Sequence, residues 1–366
     1  MHKEAGERRD FLPEMIASLA AEPSCASIVL EEGYGSGVDA TEDEYLAFAP
    51  EVRLGSYEDA LGQDVVIVIR CPDDEAIRAM RPGALLVSML HYPTRPKRTA
   101  MIAGRGLRAV SLDSIVDDLG RRLIENLESV GWNGVRAAFE QLEQMHDRFA
   151  DPGRAPLRVT VLGSGHVAGH AIRAATRYGN AGVRDRLAAS GVPGVEVTVV
   201  DYDLTVHEDY MRSRLTTTDL LVDATQRRDP SRPVIPNGWL ASLPEDSIVL
   251  DLSVDPYDLD HDPPLVKGVE GIPHGDLDAW VFPPDDPAFD RLDPRVDTTN
   301  RRRTLSCYAW PGLSPRRCME VYGEQLEPVL RFVLHRPVEE WNTEASSFWE
   351  RAVARAELRG WLERHG

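Results

Sequence analysis

Cysteine is scarce: four in 366 residues. Cys25, Cys71, Cys307 and Cys318 show neither metal-ligand spacing nor the density of a disulfide scaffold, which excludes the small secreted folds. Long apolar runs are also missing. The longest, 65–69 and 84–90, fall far short of the ~20 residues that span a bilayer. The first residues, Met1-His-Lys-Glu-Ala-Gly-Glu-Arg-Arg, lead into no apolar region, so no signal peptide is expected. Basic charge is in deficit, with 41 Lys and Arg against 60 Asp and Glu, a net charge of −19. No basic stripe offsets it, so neither nucleic acid nor an anionic membrane is an expected partner. Internal repeats and low-complexity tracts are absent too. What remains is a cytoplasmic, globular chain, 42% hydrophobic and long enough for two domains.

The segment around which the rest is organised is Val159-Thr-Val-Leu-Gly163-Ser-Gly165-His-Val-Ala168-Gly169. A β-branched run enters a glycine turn and leaves as a helix. Gly163 suits the tight turn, Gly165 the close approach of backbone to a pyrophosphate, and Ala168 the packing of helix on strand. The free N–H groups at the helix start would face the phosphates. A second buried strand at 195–200 ends at Asp201, where a ribose-binding carboxylate belongs. Asp201 lies 32 residues beyond Gly169 rather than roughly 20, so 178–194 reads as an insertion. An acid here repels a 2′-phosphate, and no arginine follows until Arg212, which favours NAD over NADP.

Before this segment, strand and helix signals alternate. Helical periodicity covers 11–21, 45–48, 57–61 and 73–80; strands are expected at 27–30, 65–69, 84–90 and 107–110. Residues 116–149 lack proline and read as one long helix, or two broken near Gly131 and Gly134. Further strands are expected at 220–224 and 247–252. The proline- and aspartate-rich stretch 255–297 reads as a long ordered excursion, 320–334 as a helix, and the tail 338–366 as one more. The fold class is α/β, two doubly wound domains joined by long helices. Three polar residues follow strand ends, where ligands gather in open parallel sheets: Arg70, His91 and Asp255. Each could equally be an ordinary loop residue.

A family resemblance follows from particular segments. Glu31-Glu-Gly-Tyr-Gly-Ser-Gly-Val resembles a shortened E-x-G-A-G-x-x-S-G-F. The run from Val65 to Pro72, with Arg81-Pro-Gly and Ser88-Met-Leu-His91, resembles V-K-E-P … G … Y-L-H. Asp251-Leu-Ser-Val-Asp255 resembles D-V-A-I-D, and Tyr308-Ala-Trp-Pro-Gly-Leu-Ser-Pro-Arg316 resembles A-N-M-P-G-A-V-P-R. The chain thereby resembles the alanine dehydrogenase, transhydrogenase N-terminal domain and lysine-forming saccharopine dehydrogenase superfamily over roughly residues 3–335.

The resemblance implies a flavodoxin-like catalytic domain (1–130 with 313–366) and a Rossmann domain (131–312). Arg9 matches an arginine that grips a substrate carboxylate, His91 a general acid/base, and Asp255 an aspartate beside nicotinamide and substrate. Arg70 takes the place of the family's lysine, and Ala309 that of an asparagine. Arginine keeps the charge but cannot serve as a proton-transfer base. The cofactor, NAD, is expected along Gly163, Gly165, His166, Val167, Asp201, Ala224, Thr225, Asp255 and Trp310. Ser111-Leu-Asp113 … Gly120-Arg121-Arg122 resembles the saccharopine-dehydrogenase Y-D-L-E-F-L … G-R-R run, making Asp113 and Arg121 candidate substrate contacts; the bland alternative is a solvated helix start. The reading is an NAD-dependent oxidoreductase acting on the C–N bond of an amino acid or N-substituted amino acid, leaning to a secondary amine. Its alternatives are an alanine-dehydrogenase-type enzyme and an NAD-binding protein without chemistry. No metal is expected, and a homo-oligomer is left open.

Overall fold

The computed structural model describes residues 7, 9–48, 50–145, 155–227 and 229–365. Internal packing divides the chain into two units, Met1–Asn126 with Ser314–Gly366, and Leu127–Leu313.

In the first unit β1 (Ile28–Glu31) pairs in parallel with β2 (Val52–Gly55). A second parallel sheet runs β3 (Val65–Arg70), β4 (Leu85–Met89), β5 (Arg108–Ser111) in that order. Its middle strand is apolar on both faces because helices cover both, so Leu86 and Val87 are fully buried. Helix Pro315–His335 and the tail complete the core: Leu326, Val329, Ala352, Val353 and Ala356 pack with Val87 and Leu112. The tail is two helices, Phe348–Ala356 and Leu358–His365, not one. Glu357 turns extended between them, and its carboxylate accepts the N–H groups of Arg359 and Gly360 at 3.0 and 3.3 Å. A side chain that captures the next N–H groups starts a new helix rather than continuing the old one.

The helix expected from residue 116 begins only at Leu127. Asp117 is the reason. Its Oδ1 accepts from the N–H of Leu119 and Arg121 at 2.9 and 2.8 Å, offering the backbone a turn in place of helical bonds. From Leu127 to Gln144 the helix is unbroken, and residues 146–149 lie outside those described. Gly131 and Gly134 are there for contact, not for a break. A Cβ on Gly131 would lie 2.7 Å from that of His170, and one on Gly134 2.4 Å from a Leu252 methyl.

The second unit holds one six-stranded sheet. Its strands are β6 (Leu157–Leu162), β7 (Val195–Val200), β8 (Leu220–Asp223), β9 (Ile248–Asp251), β10 (Val281–Phe282) and β11 (Arg303–Ser306). The order is β10-β11-β9-β8-β6-β7, all parallel except β10 on β11. Strand order reverses at β6, between β7 and β8, the switch point at whose carboxyl edge such sheets bind ligands. The insertion expected after the glycine helix is largely a helix itself, Ala181–Ala189. Among the described residues no helix is long and apolar enough to cross a membrane.

Candidate functional site

Gly163 leaves β6 with φ +91°, and a Cβ there would meet the Ala224 carbonyl oxygen at 2.9 Å. Only glycine allows both the left-handed turn and the approach of the β8 loop. Gly165 starts helix His166–Ala175 and has open space where its side chain would be, while Ala168 is fully buried beneath it. A cavity of about 590 Å³ lies against this helix start, lined by Ser164, Gly165, His166, His170, Arg173 and Gln226. His166 is exposed and Val167 packs partly into the core below.

Asp201 joins this loop. It follows β7, accepts the Tyr202 N–H at 2.8 Å and takes a short hydrogen bond from the Ser164 hydroxyl. Those two donors hold its carboxyl below the usual range. The glycine turn and the strand-end acid, 37 residues apart in sequence, therefore touch. Across the switch point, the Ala224 N–H donates to Leu162 at 3.1 Å, and Thr225 donates its N–H and hydroxyl to Asp223 at 3.0 and 2.7 Å.

Beneath that edge lies a charged cluster that sequence reasoning missed. Asp223 and Asp251 end β8 and β9 in register, and both are buried. Lys267, 1% exposed and one of three lysines in the chain, donates to Asp251 Oδ2 at 2.5 Å, and Ser306 adds a bond at 2.9 Å. Burial works to raise Asp251, but the Lys267 charge and hydrogen bond outweigh it and hold the carboxyl low. Asp223 goes the other way, pushed up to about 6 by burial and by the charge of Asp251. Its Oδ2 has no hydrogen-bond partner among the described residues. Trp310, expected along the cofactor, is a core residue instead: 1% exposed, it packs against Gly134 and donates from its indole to the Asp251 carbonyl at 2.8 Å.

Asp255 follows Val254, a β-branched residue at φ +53°. Its carboxylate faces an arginine that the sequence did not suggest: Arg227 Nη2 donates to Asp255 Oδ2 at 2.8 Å.

In the first unit, β3 and β4 bring Arg70 and His91 to one sheet edge. Arg70 pairs in register with Met89, two residues before His91. Arg70 is half-buried and engaged within the protein. His91 adopts a left-handed conformation (φ +53°), and Asp113 anchors it twice. Asp113 Oδ1 accepts the His91 N–H at 3.1 Å, and Oδ2 lies 3.4 Å from imidazole Nδ1. Ser111 donates its hydroxyl to Asp113 at 2.7 Å. Burial works to raise the Asp113 carboxyl, yet the hydrogen bonds and charge of His91, with the Ser111 bond, hold it far below the usual range. Asp113 is therefore no solvated helix start. It is 6% exposed and holds the histidine, whose side chain is 48% exposed.

The two remaining candidates sit differently from expectation. Arg9 is buried, and Glu7 occupies its fork, with Nε donating at 2.8 Å and Nη2 at 2.5 Å. A substrate carboxylate on that edge would have to displace Glu7. Arg121 has a side chain 74% exposed, paired with Asp117 at 2.7 Å, so it is a surface residue that closes a turn.

Residues 2–129 match the family model described as alanine dehydrogenase/PNT, N-terminal domain. The alpha subunit of the NAD(P) transhydrogenase of Haemophilus influenzae is 23% identical over 186 residues, 48% of this chain but only 36% of that subunit. An L-alanine dehydrogenase structure superposes with a TM-score of 0.69 at 16% identity, covering 97% of this chain and 92% of that one. A transhydrogenase from Sinorhizobium meliloti gives 0.60 at 18% identity, covering 91% and 92%. The fold is that of alanine dehydrogenase, two α/β domains with parallel sheets.

Proposed function

We propose that this protein is an NAD-dependent dehydrogenase that deaminates an amino acid at its Cα–N bond. The observation that carries the reading is the His91–Asp113 pair, an exposed imidazole held by a buried carboxylate in the part of the chain that matches the alanine dehydrogenase/PNT model. The Ser164–Asp201 contact and the cavity at the glycine loop support a dinucleotide: the free N–H groups of the helix start suit its pyrophosphate, and Asp201 suits a ribose diol rather than a 2′-phosphate. The likeness to an L-alanine dehydrogenase favours simple deamination over the secondary-amine chemistry suggested by the 111–122 run.

Bound NAD supplies the acceptor for the hydride that leaves the substrate Cα. With Nδ1 directed at Asp113, His91 keeps Nε2 for the substrate. Nε2 takes one proton of the water that adds to the resulting iminium carbon, returns it to the amine as the C–N bond breaks, and takes up the hydroxyl proton released as the carbonyl forms. Asp113 supplies the countercharge while the imidazole is protonated, as a buried carboxylate does in hydrolytic triads. Arg70 fixes the substrate carboxylate as a permanent cation and moves no proton.

A second reading, nucleotide binding without deamination, draws on Arg70 and Ala309, which stand where the resembled family has a lysine and an asparagine. The deciding experiment is a panel of amino acids with NAD, and of keto acids with ammonia and NADH, followed at the nicotinamide absorbance. Turnover that Arg70→Lys largely preserves, with the loss mainly in KM, supports deamination. NADH binding with no turnover of any member favours the second reading.

A further inference from the structure

Arg227 is a buried cation of the second unit that the proposed mechanism does not use. It sits two residues after Thr225 on the loop leaving β8, with a side chain only 7% exposed. Its fork reaches four acceptors on three segments. Nη2 donates to Asp255 at 2.8 Å and makes a short bond to the Val266 carbonyl; Nη1 donates to the carbonyls of Arg232 at 3.0 Å and Pro230 at 3.4 Å. Nε has no partner. Three of the four acceptors are neutral carbonyls, so Asp255 supplies the guanidinium's countercharge among the contacts shown.

The converse matters more. Asp255 follows a residue in a left-handed conformation that β-branched side chains rarely adopt. Its Oδ2 is committed to Arg227, whereas Oδ1 accepts nothing among the described residues and the side chain is 34% exposed. One oxygen is held and the other presented. The other end of the link is the glycine-loop side of the sheet: Ala224 is tied to β6, Thr225 to Asp223, and Gln226 lines the 590 Å³ cavity.

We infer that Arg227 is a positioning residue that sets the orientation of Asp255 and makes the loop 224–227 and the segment after β9 a single unit. This rests on the proposed dinucleotide site. A ligand seated against Gln226 then meets an Asp255 already aimed, and displacement of either segment is felt by the other. The contact is electrostatic at its centre and merely structural at its rim, a split that substitution can separate. Lysine retains the charge that faces Asp255 but cannot reproduce a fork spread over three carbonyls.

The test uses the full chain with Arg227→Lys, Arg227→Ala, Asp255→Asn and the double variant Arg227→Ala/Asp255→Asn. Steady-state kinetics use the best amino acid of the panel, and NADH dissociation constants come from nicotinamide fluorescence. Arg227→Ala should lower kcat by roughly 10–100-fold, the cost of a misplaced group, with KM little changed. Arg227→Lys should recover most of it, and the double variant should be no worse than Asp255→Asn alone. NADH affinity should follow the same non-additive pattern, which decides the matter even if no amino acid turns over, an outcome that by itself would count only against deamination. Equal damage from lysine and alanine, or additive losses in the double variant, would overturn the inference.

Discussion

Asp113 and Asp223 occupy the same kind of place, at or just past the carboxyl end of a buried parallel strand, and they end in opposite electrostatic states. Asp113 receives the His91 backbone N–H, faces its imidazole and takes the Ser111 hydroxyl, and is held far below the ordinary carboxylate range despite burial. Asp223 receives two donors from Thr225 on one oxygen and, among the described residues, none on the other, stands beside the charge of Asp251, and is pushed up to about 6. Burial is common to both, so burial does not decide the outcome; partners do. Asp201 is the third case, a strand-end acid with two donors and little burial, and it too is held low. Where a cationic or imidazole partner joins the donors, as at Asp113, the carboxyl stays low despite burial; where the charged neighbour is another acid, as at Asp223, burial prevails and the carboxyl rises.

The largest expected effect tests the first side of that contrast. His91→Ala should lower kcat by roughly two to four orders of magnitude, the range for a positioned acid/base. Asp113→Asn, which keeps the shape but removes the countercharge, should cost about 10–100-fold, as loss of an orienting partner does. Near-normal turnover in both would remove the pair from the mechanism. A smaller effect is expected at Asp201. Replacing it with alanine should narrow the gap between NAD and NADP dissociation constants by about tenfold, the size of one lost charge contact of ~1.4 kcal/mol. An unchanged ratio would mean that the acid does not face the 2′ position.

The smallest effect concerns Asp223. Its folded value, about 6, lies above the ordinary 3.8, so the folded state binds the proton more tightly than the unfolded chain. The ionised form is therefore a burden above about pH 6, and the folded state gains stability as pH falls from there toward 4. Asp223→Asn has no charge to relieve. The melting temperature of the variant minus that of the wild type should rise between pH 4.5 and 8, by roughly 2–8 °C. A flat difference would show that Asp223 titrates normally.

How much of this could be read from the chain depended on whether the signal was local. The strands 65–69 and 84–90 were legible because each buries side chains in a core on both faces and so reads as an unbroken apolar run, and the glycine turn because its backbone angles admit one residue type. The strand Val52–Gly55 was not, since four residues with an exposed arginine leave no period to detect. Residues 116–126 misled because lacking proline is not the same as favouring a helix, and Asp117 supplies a competing turn. His91 was singled out from its place at a strand end, but not its anchor: the hydrogen bond spans 22 residues. Arg227 and Lys267 were invisible for the same reason. Each looks solvated among prolines and aspartates, and only folding reveals the acid 28 or 16 residues away that each one meets. Strands 220–223 and 248–251 did offer a clue, for both end on an aspartate.

The tail that closes the first unit has a consequence for biosynthesis. Glu357 bridges to Val110 on β5, and Ala352, Val353 and Ala356 fill the core that the first 126 residues begin. A ribosome releases the second unit as one uninterrupted piece, able to fold as it emerges. The first unit must wait with an open flank until the tail follows, on the order of ten seconds or more at ~5–20 residues per second. During that interval the nascent chain carries an uncovered apolar surface beside a finished neighbour. Chaperone capture should therefore map to β5, and early termination before Ala352 should yield a protein with a sound second unit and an insoluble first.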